Sequence, residues 1–175
     1  MIREKIEDRI SLVPITKAHT EFIVKWRNNK RVYDSFIFSE KFTTEMHNDW
    51  LDKRVSTGEV VQFIIYVKAK EKPIGSVYFR DIDYEKKVAE YGIFIGEDEY
   101  VGKGYGTETT KIALEYAFNE LKLQKIFLRV FADNKGAIKT YRNVGFEKTE
   151  YLSKEINKNG KMHDLIFMEC KNPYN

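Results

Sequence analysis

Three glycines alternate with other residues directly before a predicted helix, in the run Gly102-Lys-Gly-Tyr-Gly106. Glycine lets the backbone turn its N–H groups inward, and the missing Cβ lets a ligand approach closely. The helix that follows adds unpaired N–H groups and the positive end of its dipole. The loop therefore predicts a phosphate or pyrophosphate site with Lys103 and Lys111 at its rim, although a plain flexible loop explains a lone glycine run equally well.

Two familiar phosphate loops do not fit this run. A Walker A loop has four residues between its first glycine and Gly-Lys, which is then followed by Ser or Thr. Here five residues separate Gly96 from Gly102, and Lys103 is followed by glycine. A dinucleotide fingerprint needs a third glycine where Thr107 stands, and it follows the first strand of a parallel unit. Neither motif is therefore present.

Composition narrows the class of protein. The chain has 175 residues and is 42% hydrophobic, which fits one domain, residues 1–175, with a full core. Its net charge of +3 is scattered, whereas nucleic-acid binders gather Lys and Arg on one face. The single cysteine, Cys170, permits no disulfide framework, and no Cys/His cluster has zinc spacing. No apolar run could span a membrane, and the charged N-terminus lacks a signal region. We predict a cytoplasmic protein without a metal, nucleic-acid or membrane partner.

Hydrophobic periodicity predicts the elements that position the loop. A period of two marks an antiparallel meander before the loop, and helical periods lie on both sides of it. The stretch 31–40 alternates poorly and is predicted to be a loop, and Gly145 is predicted to end a helix in the left-handed conformation. Strands are expected at 9–13, 60–67, 74–79, 88–95, 126–131, 146–152 and 163–169. Helices are expected at 17–28, at 44–54, from the end of the glycine run to 122, and at 134–143. This order predicts an α/β fold with a mixed sheet and helices on both faces.

Two spaced motifs make the pattern specific. The run Ala89-Glu-Tyr-Gly-Ile-Phe-Ile95, followed by residues 101–106, resembles the central strand and coenzyme A loop of the GNAT acetyltransferases. The family loop is Gln/Arg-x-x-Gly-x-Gly/Ala; Gly104-Tyr-Gly106 matches its second half, and Val101 stands where Gln or Arg is usual. The run Asn134-x-x-Ala137-x-x-x-Tyr141-x-x-x-Gly-Phe146 resembles the family's second half. The resemblance covers residues 10–168.

This resemblance implies a fold and a co-substrate. The fold would be a single-domain GNAT fold, a mixed and mostly antiparallel sheet of about seven strands with helices on both faces. The co-substrate would be acetyl-CoA, with its pyrophosphate on the glycine loop and its pantetheine paired along the central strand as an added strand. Gly92 in that strand would mark a bulge or a close backbone approach. The implied coenzyme contacts are Tyr91, Gly92, Ile93, Phe94, Ile95, Val101, Gly102, Lys103, Gly104, Tyr105, Gly106, Thr107, Asn134 and Ala137.

The resemblance also implies catalytic roles. Tyr141 would be the general acid that protonates the departing thiolate; a thiol pKa near ~8.5 and a tyrosine pKa near ~10 make that transfer finely balanced. Glu90 is the candidate base for the ammonium of the acceptor, with a strand-edge carboxylate or a substrate anchor as equal alternatives. A backbone N–H near Phe94 would stabilise the oxyanion. His47 and His163 rank below Glu90 as bases, and Cys170 is expected to be a buried apolar residue.

The acceptor amine is expected to bind the N-terminal half. Its Trp-Arg-Asn and His-x-x-Trp-Leu segments are similar to those of acetyltransferases acting on nucleotide-linked amino sugars, which is the predicted acceptor. A polyamine or a protein N-terminus is the alternative, and a coenzyme A-binding regulator without turnover is the alternative of another class. Arg27 would contact a substrate phosphate or pair with a surface acid, whereas Trp26 taken by itself fits the core better than a binding site. The candidate acceptor-binding residues are Trp26, Arg27, Asn28, Phe36 and His47, with a small-molecule amine as the partner and a homodimer left open.

Overall fold

The computed structural model describes residues 8–38 and 40–174 of the chain. Its strands are β1 (Ile10–Pro14), β2 (Val61–Val67), β3 (Lys72–Asp83), β4 (Val88–Ile95), β5 (Lys125–Phe131), β6 (Glu147–Lys158) and β7 (Lys161–Lys171). Its α-helices are α1 (Thr20–Arg27), α2 (Lys30–Ser35), α3 (Thr44–Trp50), α4 (Tyr105–Asn119) and α5 (Lys135–Asn143). A π-helical turn, Leu51–Val55, continues α3, and short 3-10 turns lie at Lys17–His19, Lys68–Lys70 and Asp98–Tyr100.

The strands form one seven-stranded sheet in the order β1-β2-β3-β4-β5-β7-β6. Neighbours pair antiparallel except β4 and β5, which run parallel. That parallel pair is joined by α4, as a crossover connection requires. The predicted α/β fold, a mixed and mostly antiparallel sheet of the GNAT type, is confirmed.

Alternation along β2 shows why helices cover both faces of the sheet. Phe63 and Ile65 belong to the larger core cluster, together with Ala113 of α4. Ile64, between them in sequence, belongs to the second cluster with Ile23 of α1. Successive strand residues point to opposite faces, so an apolar strand such as β2 needs a helix on each side.

Several segments differ from the sequence prediction, and β3 is among those that are longer than expected. The stretch predicted to be a loop contains α2, a six-residue helix whose N-cap side chain, Asn29, accepts a hydrogen bond from the Arg31 N–H at 3.0 Å. The last two strands are longer than predicted and meet at a turn where Asn159 and Gly160 have positive φ. The predicted left-handed glycine after α5 is confirmed, because Gly145 has φ 105°.

Candidate active site

The parallel pairing of β4 and β5 ends at Glu90, which is opposite Phe127. Only 88–90 of β4 pair with β5 in the described part of the chain, whereas β4 pairs with β3 as far as Ile95. The two central strands therefore separate beyond Glu90. Beyond Glu90 the β5 side of β4 pairs with no other strand among the described residues, and an extended ligand can pair with its backbone as another strand would. The carbonyl of Ile95 already accepts a hydrogen bond from Arg31 Nη2 at 2.8 Å.

A cavity of about 400 Å³ lies at this separation, a volume that suits a small-molecule site. Its walls come from α1, the end of α2 and the segment after it, α3, the four strands β2, β3, β4 and β5, and α5. It brings together eleven of the residues predicted from the sequence: Arg27, Phe36, His47, Glu90, Tyr91, Gly92, Ile93, Phe94, Asn134, Ala137 and Tyr141.

Tyr141 reaches the cavity from α5. Its ring packs edge-on against Tyr91, with 6.3 Å between ring centroids, and against Phe146 at 5.7 Å. Burial raises the pKa of the Tyr141 hydroxyl, and a Coulombic contribution from Tyr78 raises it further. The hydroxyl therefore carries its proton at neutral pH, as a donor to a thiolate must.

Glu90 is buried at the point where the strands separate, with 7% of its surface exposed. One carboxylate oxygen accepts a hydrogen bond from Arg129 Nε at 2.8 Å, and the other lies 3.0 Å from Arg80 Nη2. Each oxygen is therefore held by a guanidinium, and each keeps a further lone pair that can accept a hydrogen bond. The two arginines fix the carboxylate of Glu90 in place, and its roles as a general base or as an anchor for the substrate ammonium both stay predictions.

Arg27 enters the cavity from the last turn of α1, between two aromatic rings. Its guanidinium lies 3.7 Å from the ring centroid of Phe36 and 4.5 Å from that of Phe42. The Nε atom is buried and has no hydrogen-bond partner among the described residues. The side chain is thus fixed in place with unused donors.

His47 adds a neutral group to the same wall. It is 1% exposed, and its Nδ1 is 2.9 Å from the Thr20 hydroxyl. Burial lowers the pKa of His47 to about 4, and the positive charges of His19 and Arg27 contribute in the same direction. The imidazole is therefore uncharged at neutral pH and is a poor base for an ammonium group.

The glycine loop lies outside this cavity, at the start of α4. Gly102 and Gly104 have φ 72° and 86°, in the left-handed region that other residues avoid. None of the residues 101–107 lines the cavity, and Ile95 does not line it either. A ligand that reached both places would be long, with its anionic part at the helix start and its other end between the strands.

A family model described as an acetyltransferase (GNAT) domain matches residues 9–147. The chain belongs to the GNAT acetyltransferase family. It is an N-acetyltransferase, as the motifs around the glycine loop and Tyr141 predicted.

Relatives of this acetyltransferase extend over nearly all of the chain. The spermidine N(1)-acetyltransferase of Escherichia coli strain K12 is 29% identical over 160 residues, which cover 91% of this chain and 84% of that one. The spermidine N(1)-acetyltransferase of Vibrio cholerae is 27% identical over 161 residues, or 91% of each. A crystal structure of the Vibrio cholerae spermidine N-acetyltransferase in complex with CoA and spermine superposes with a TM-score of 0.87 at 26% identity, covering 93% of this chain and 95% of that one.

Two residues of the acetyltransferase that were predicted to bind the acceptor have structural positions instead. Trp26 is fully buried, and its Nε1 donates to Glu97 Oε1 at 2.7 Å. The Asn28 amide donates to the Phe42 carbonyl at 2.7 Å and accepts from the Phe42 N–H at 2.9 Å. Asn28 therefore holds Phe42 against Arg27 and has no free group for an acceptor. The first correction follows from the packing of Trp26 in the second core cluster, and the second follows from the hydrogen bonds between Asn28 and Phe42.

Two alternatives were predicted at Gly92, a bulge and a close approach to its backbone, and the structure has the close approach without a bulge at this residue. Gly92 is paired in register with Tyr78 of β3, and a Cβ on it would lie 2.3 Å from the Tyr78 ring. The close approach is that of an aromatic side chain lying across the glycine. The Tyr78 ring lines the cavity, and sequence reasoning missed it because only the strand register places it there.

A second residue missed from the sequence is Arg9, which lies beside the glycine loop. Its Nη1 donates to the Lys103 carbonyl at 3.2 Å and its Nε donates to Glu108 at 2.8 Å. Its guanidinium also covers the Tyr105 ring at 4.2 Å. Arg9 thus adds a cation at the helix start, next to Gly104.

The remaining candidates are an N-cap residue in the cavity wall and two residues outside the cavity. Asn134 lines the cavity, but its Oδ1 accepts from the Ala137 N–H at 3.2 Å as the N-cap of α5. His163 lines a different cleft beside Lys158, and Cys170 is buried in the core. Within 8–38 and 40–174 there is no cluster of three or more His, Cys, Asp or Glu side chains placed to hold a metal ion. In the same ranges, no helix has the length and apolar character needed to cross a membrane.

Proposed function

We propose that this acetyltransferase transfers the acetyl group of acetyl-CoA to a primary amine that binds in the cavity between α1, α2 and the separated strands. The observation that carries the proposal is that the Tyr141 side chain and the unpaired side of β4 meet in this one cavity. A thioester lying along β4 would then present its sulfur to the Tyr141 hydroxyl.

The chain's own groups divide the work as follows. Acetyl-CoA supplies an activated acetyl group, and the loop 102–107 with Arg9 holds its pyrophosphate. Backbone N–H groups near Phe94 stabilise negative charge on the carbonyl oxygen as the nitrogen–carbon bond forms. As the carbon–sulfur bond breaks, Tyr141 donates its proton to the thiolate. The ammonium loses one proton before attack, to water or to Glu90, which Arg80 and Arg129 hold at the cavity. The nitrogen loses a second proton as the intermediate collapses, and that proton restores the Tyr141 hydroxyl through solvent.

The relatives support a polyamine as the acceptor class. Those reported above are spermidine acetyltransferases, and one of their structures contains spermine. The predicted nucleotide-linked amino sugar receives no support from them. Spermidine is therefore the first acceptor to test.

Oligomeric state is a separate proposal. One structure of the Vibrio cholerae spermidine N-acetyltransferase, superposing with a TM-score of 0.81 at 27% identity, is described as dodecameric. We propose that this chain also forms a homo-oligomer larger than the predicted dimer. Light scattering coupled to size exclusion measures the mass directly, and a monomer or dimer mass would contradict the proposal.

Thiol release from acetyl-CoA tests the catalytic proposal. The panel contains spermidine, spermine, a peptide with a free N-terminus and a nucleotide-linked amino sugar, with Tyr141→Phe as the matched variant. We expect release with at least one acceptor class and a much slower rate in the variant. If no acceptor in the panel caused thiol release although calorimetry confirmed acetyl-CoA binding, the alternative of a coenzyme A-binding regulator would be favoured.

A further inference from the structure

The acceptor cavity carries an excess of positive charge. Its charged lining consists of three arginines, Arg27, Arg80 and Arg129, and one carboxylate, Glu90. Glu90 is shared between Arg80 and Arg129, so it offsets only part of their charge. His47 is uncharged at neutral pH and so leaves this balance unchanged.

Among the three cavity arginines, Arg27 alone has no ion pair within the described residues. The two phenyl rings that flank it fix the plane of its guanidinium. Its Nε is buried without an acceptor, and a buried donor without a partner is costly. A fixed guanidinium with unused donors is the arrangement that binds a carboxylate or a phosphate through paired hydrogen bonds.

Other parts of the fold keep Arg27 in this position. The side-chain amide of Asn28 hydrogen-bonds the backbone carbonyl and N–H of Phe42, and so fixes the residue that carries one of the two rings. Lys158 donates hydrogen bonds to the carbonyls of Tyr33 and Phe36, and so holds the segment that carries the other ring. The guanidinium is therefore preorganised before any ligand binds, which lowers the entropic cost of binding.

We infer that the acetyl acceptor carries an anionic group, a carboxylate or a phosphate, in addition to its amine, and that Arg27 binds this group. The inference rests on the proposed amine acetylation and specifies its acceptor. A polyamine carries only positive charge, and Arg27, Arg80 and Arg129 repel it. The specificity of this chain would then differ from that of its spermidine-acetylating relatives.

Two matched acceptor pairs test the inference and distinguish the two anions. Glucosamine 6-phosphate is compared with glucosamine, and a dipeptide with a free carboxylate is compared with its C-terminal amide. Each is assayed with the wild type, Arg27→Gln, Arg27→Lys and the control Lys25→Gln, which removes an exposed charge from the same helix outside the cavity. Spermidine is assayed alongside.

We expect the anionic member of one pair to be the better acceptor, and Arg27→Gln to raise its KM by roughly tenfold or more, as the loss of a charged hydrogen bond predicts. In Arg27→Gln, the KM of the neutral member should change little. Arg27→Lys should restore part of the affinity for the anionic member, and Lys25→Gln should behave as the wild type. Unchanged acetyl-CoA affinity and melting temperature would exclude a folding defect.

The inference would be overturned if spermidine were the best acceptor and Arg27→Gln left its KM unchanged or lowered it. The proposed acetyltransferase function would still stand in that case. Calorimetric titration of glucosamine 6-phosphate and of the dipeptide onto the CoA-bound protein gives a readout that does not depend on turnover. If neither bound, or if binding were equal in Arg27→Gln and the wild type, the inference would be wrong. If no amine were acetylated but binding depended on Arg27, the anion site would stand and the proposed acetyl transfer would fail.

Discussion

The ammonium group of Lys158, at the tip of the β6–β7 hairpin, donates a hydrogen bond to the carbonyl oxygen of Phe36 in the wall of the acceptor cavity. The same ammonium bonds the carbonyl of Tyr33, one turn earlier, and lies 4.4 Å from the centroid of its ring. Only 3% of Lys158 is exposed. A hairpin far along the chain thus fixes the C-terminal end of α2, where carbonyl groups lack helical partners.

We expect Lys158→Met to loosen the cavity wall, because the two carbonyls lose their donor. Urea unfolding should show a loss of about 1–3 kcal/mol. The KM for the acceptor should rise, while the acetyl-CoA dissociation constant stays unchanged. Lys161→Met, an exposed lysine on the same hairpin, is the control. Equal acceptor KM values in Lys158→Met and the wild type would show that the wall does not depend on Lys158.

Tyr141→Phe keeps the ring that packs against Tyr91 and Phe146 and removes only the proton donor. We expect kcat to fall by roughly 10²-fold or more, as removal of a general acid does. Acetyl-CoA affinity, measured by calorimetry, should remain nearly intact. A kcat equal to that of the wild type would remove Tyr141 from the mechanism.

Gly104→Val tests the coenzyme loop. Valine is strained at φ 86°, and its branched side chain would fill the space in front of the helix start. Gly58→Val is a matched control, because Gly58 has a similar φ of 80° in a turn between α3 and β2. Both variants should lose stability, but only Gly104→Val should lose acetyl-CoA affinity. Normal affinity in Gly104→Val would refute the assignment of the loop.

His47 predicts a pH dependence of stability. Its pKa is about 4 in the folded chain and about 6.5 when unfolded, so below pH 6.5 the unfolded chain binds a proton that the folded chain does not. Stability should therefore fall as the pH drops from about 6.5 toward 4, by at most about 3 kcal/mol from this group. Urea unfolding at several pH values should show a shallower slope for His47→Gln. An identical slope would assign the effect to another group.

The sequence allowed the part of the cavity formed by β4 and α5 to be predicted, because the elements that form it are marked by short motifs in the chain. β4, the glycine loop and α5 are each set by local patterns, namely period-two apolar residues, left-handed glycines and an Asn N-cap. The resemblance of these motifs to the GNAT family implied roles for Tyr141 and for the pairing side of β4, and both line the cavity.

Cross-strand contacts could not be predicted in this way. Glu90 meets Arg80 through the β3 register and Arg129 through the β5 pairing, and neither register can be derived from one strand's sequence. Trp26 and Arg27 are adjacent on α1, yet one is in the core and the other in the cavity. The direction of each depends on what packs against the helix, which local sequence does not specify.

The helix α2 was missed for a related reason. Its six residues are too few to form a stable helix alone, since nucleation is unfavourable in short segments. Two side chains outside it supply the missing interactions, Asn29 at its start and Lys158 at its end. The second of these is distant in sequence, so the helix is a product of the tertiary fold.

The ion-paired group formed by Arg80, Glu90 and Arg129 connects three adjacent strands at the point where β4 and β5 part. The gap between β4 and β5 begins at Glu90, where their backbone pairing ends, so the ion-paired side chains border the gap at its narrow end. Replacing one of these three side chains by a shorter or longer one would change the width of the gap without changing the register of any strand. The size of the gap can therefore evolve independently of the fold that contains it.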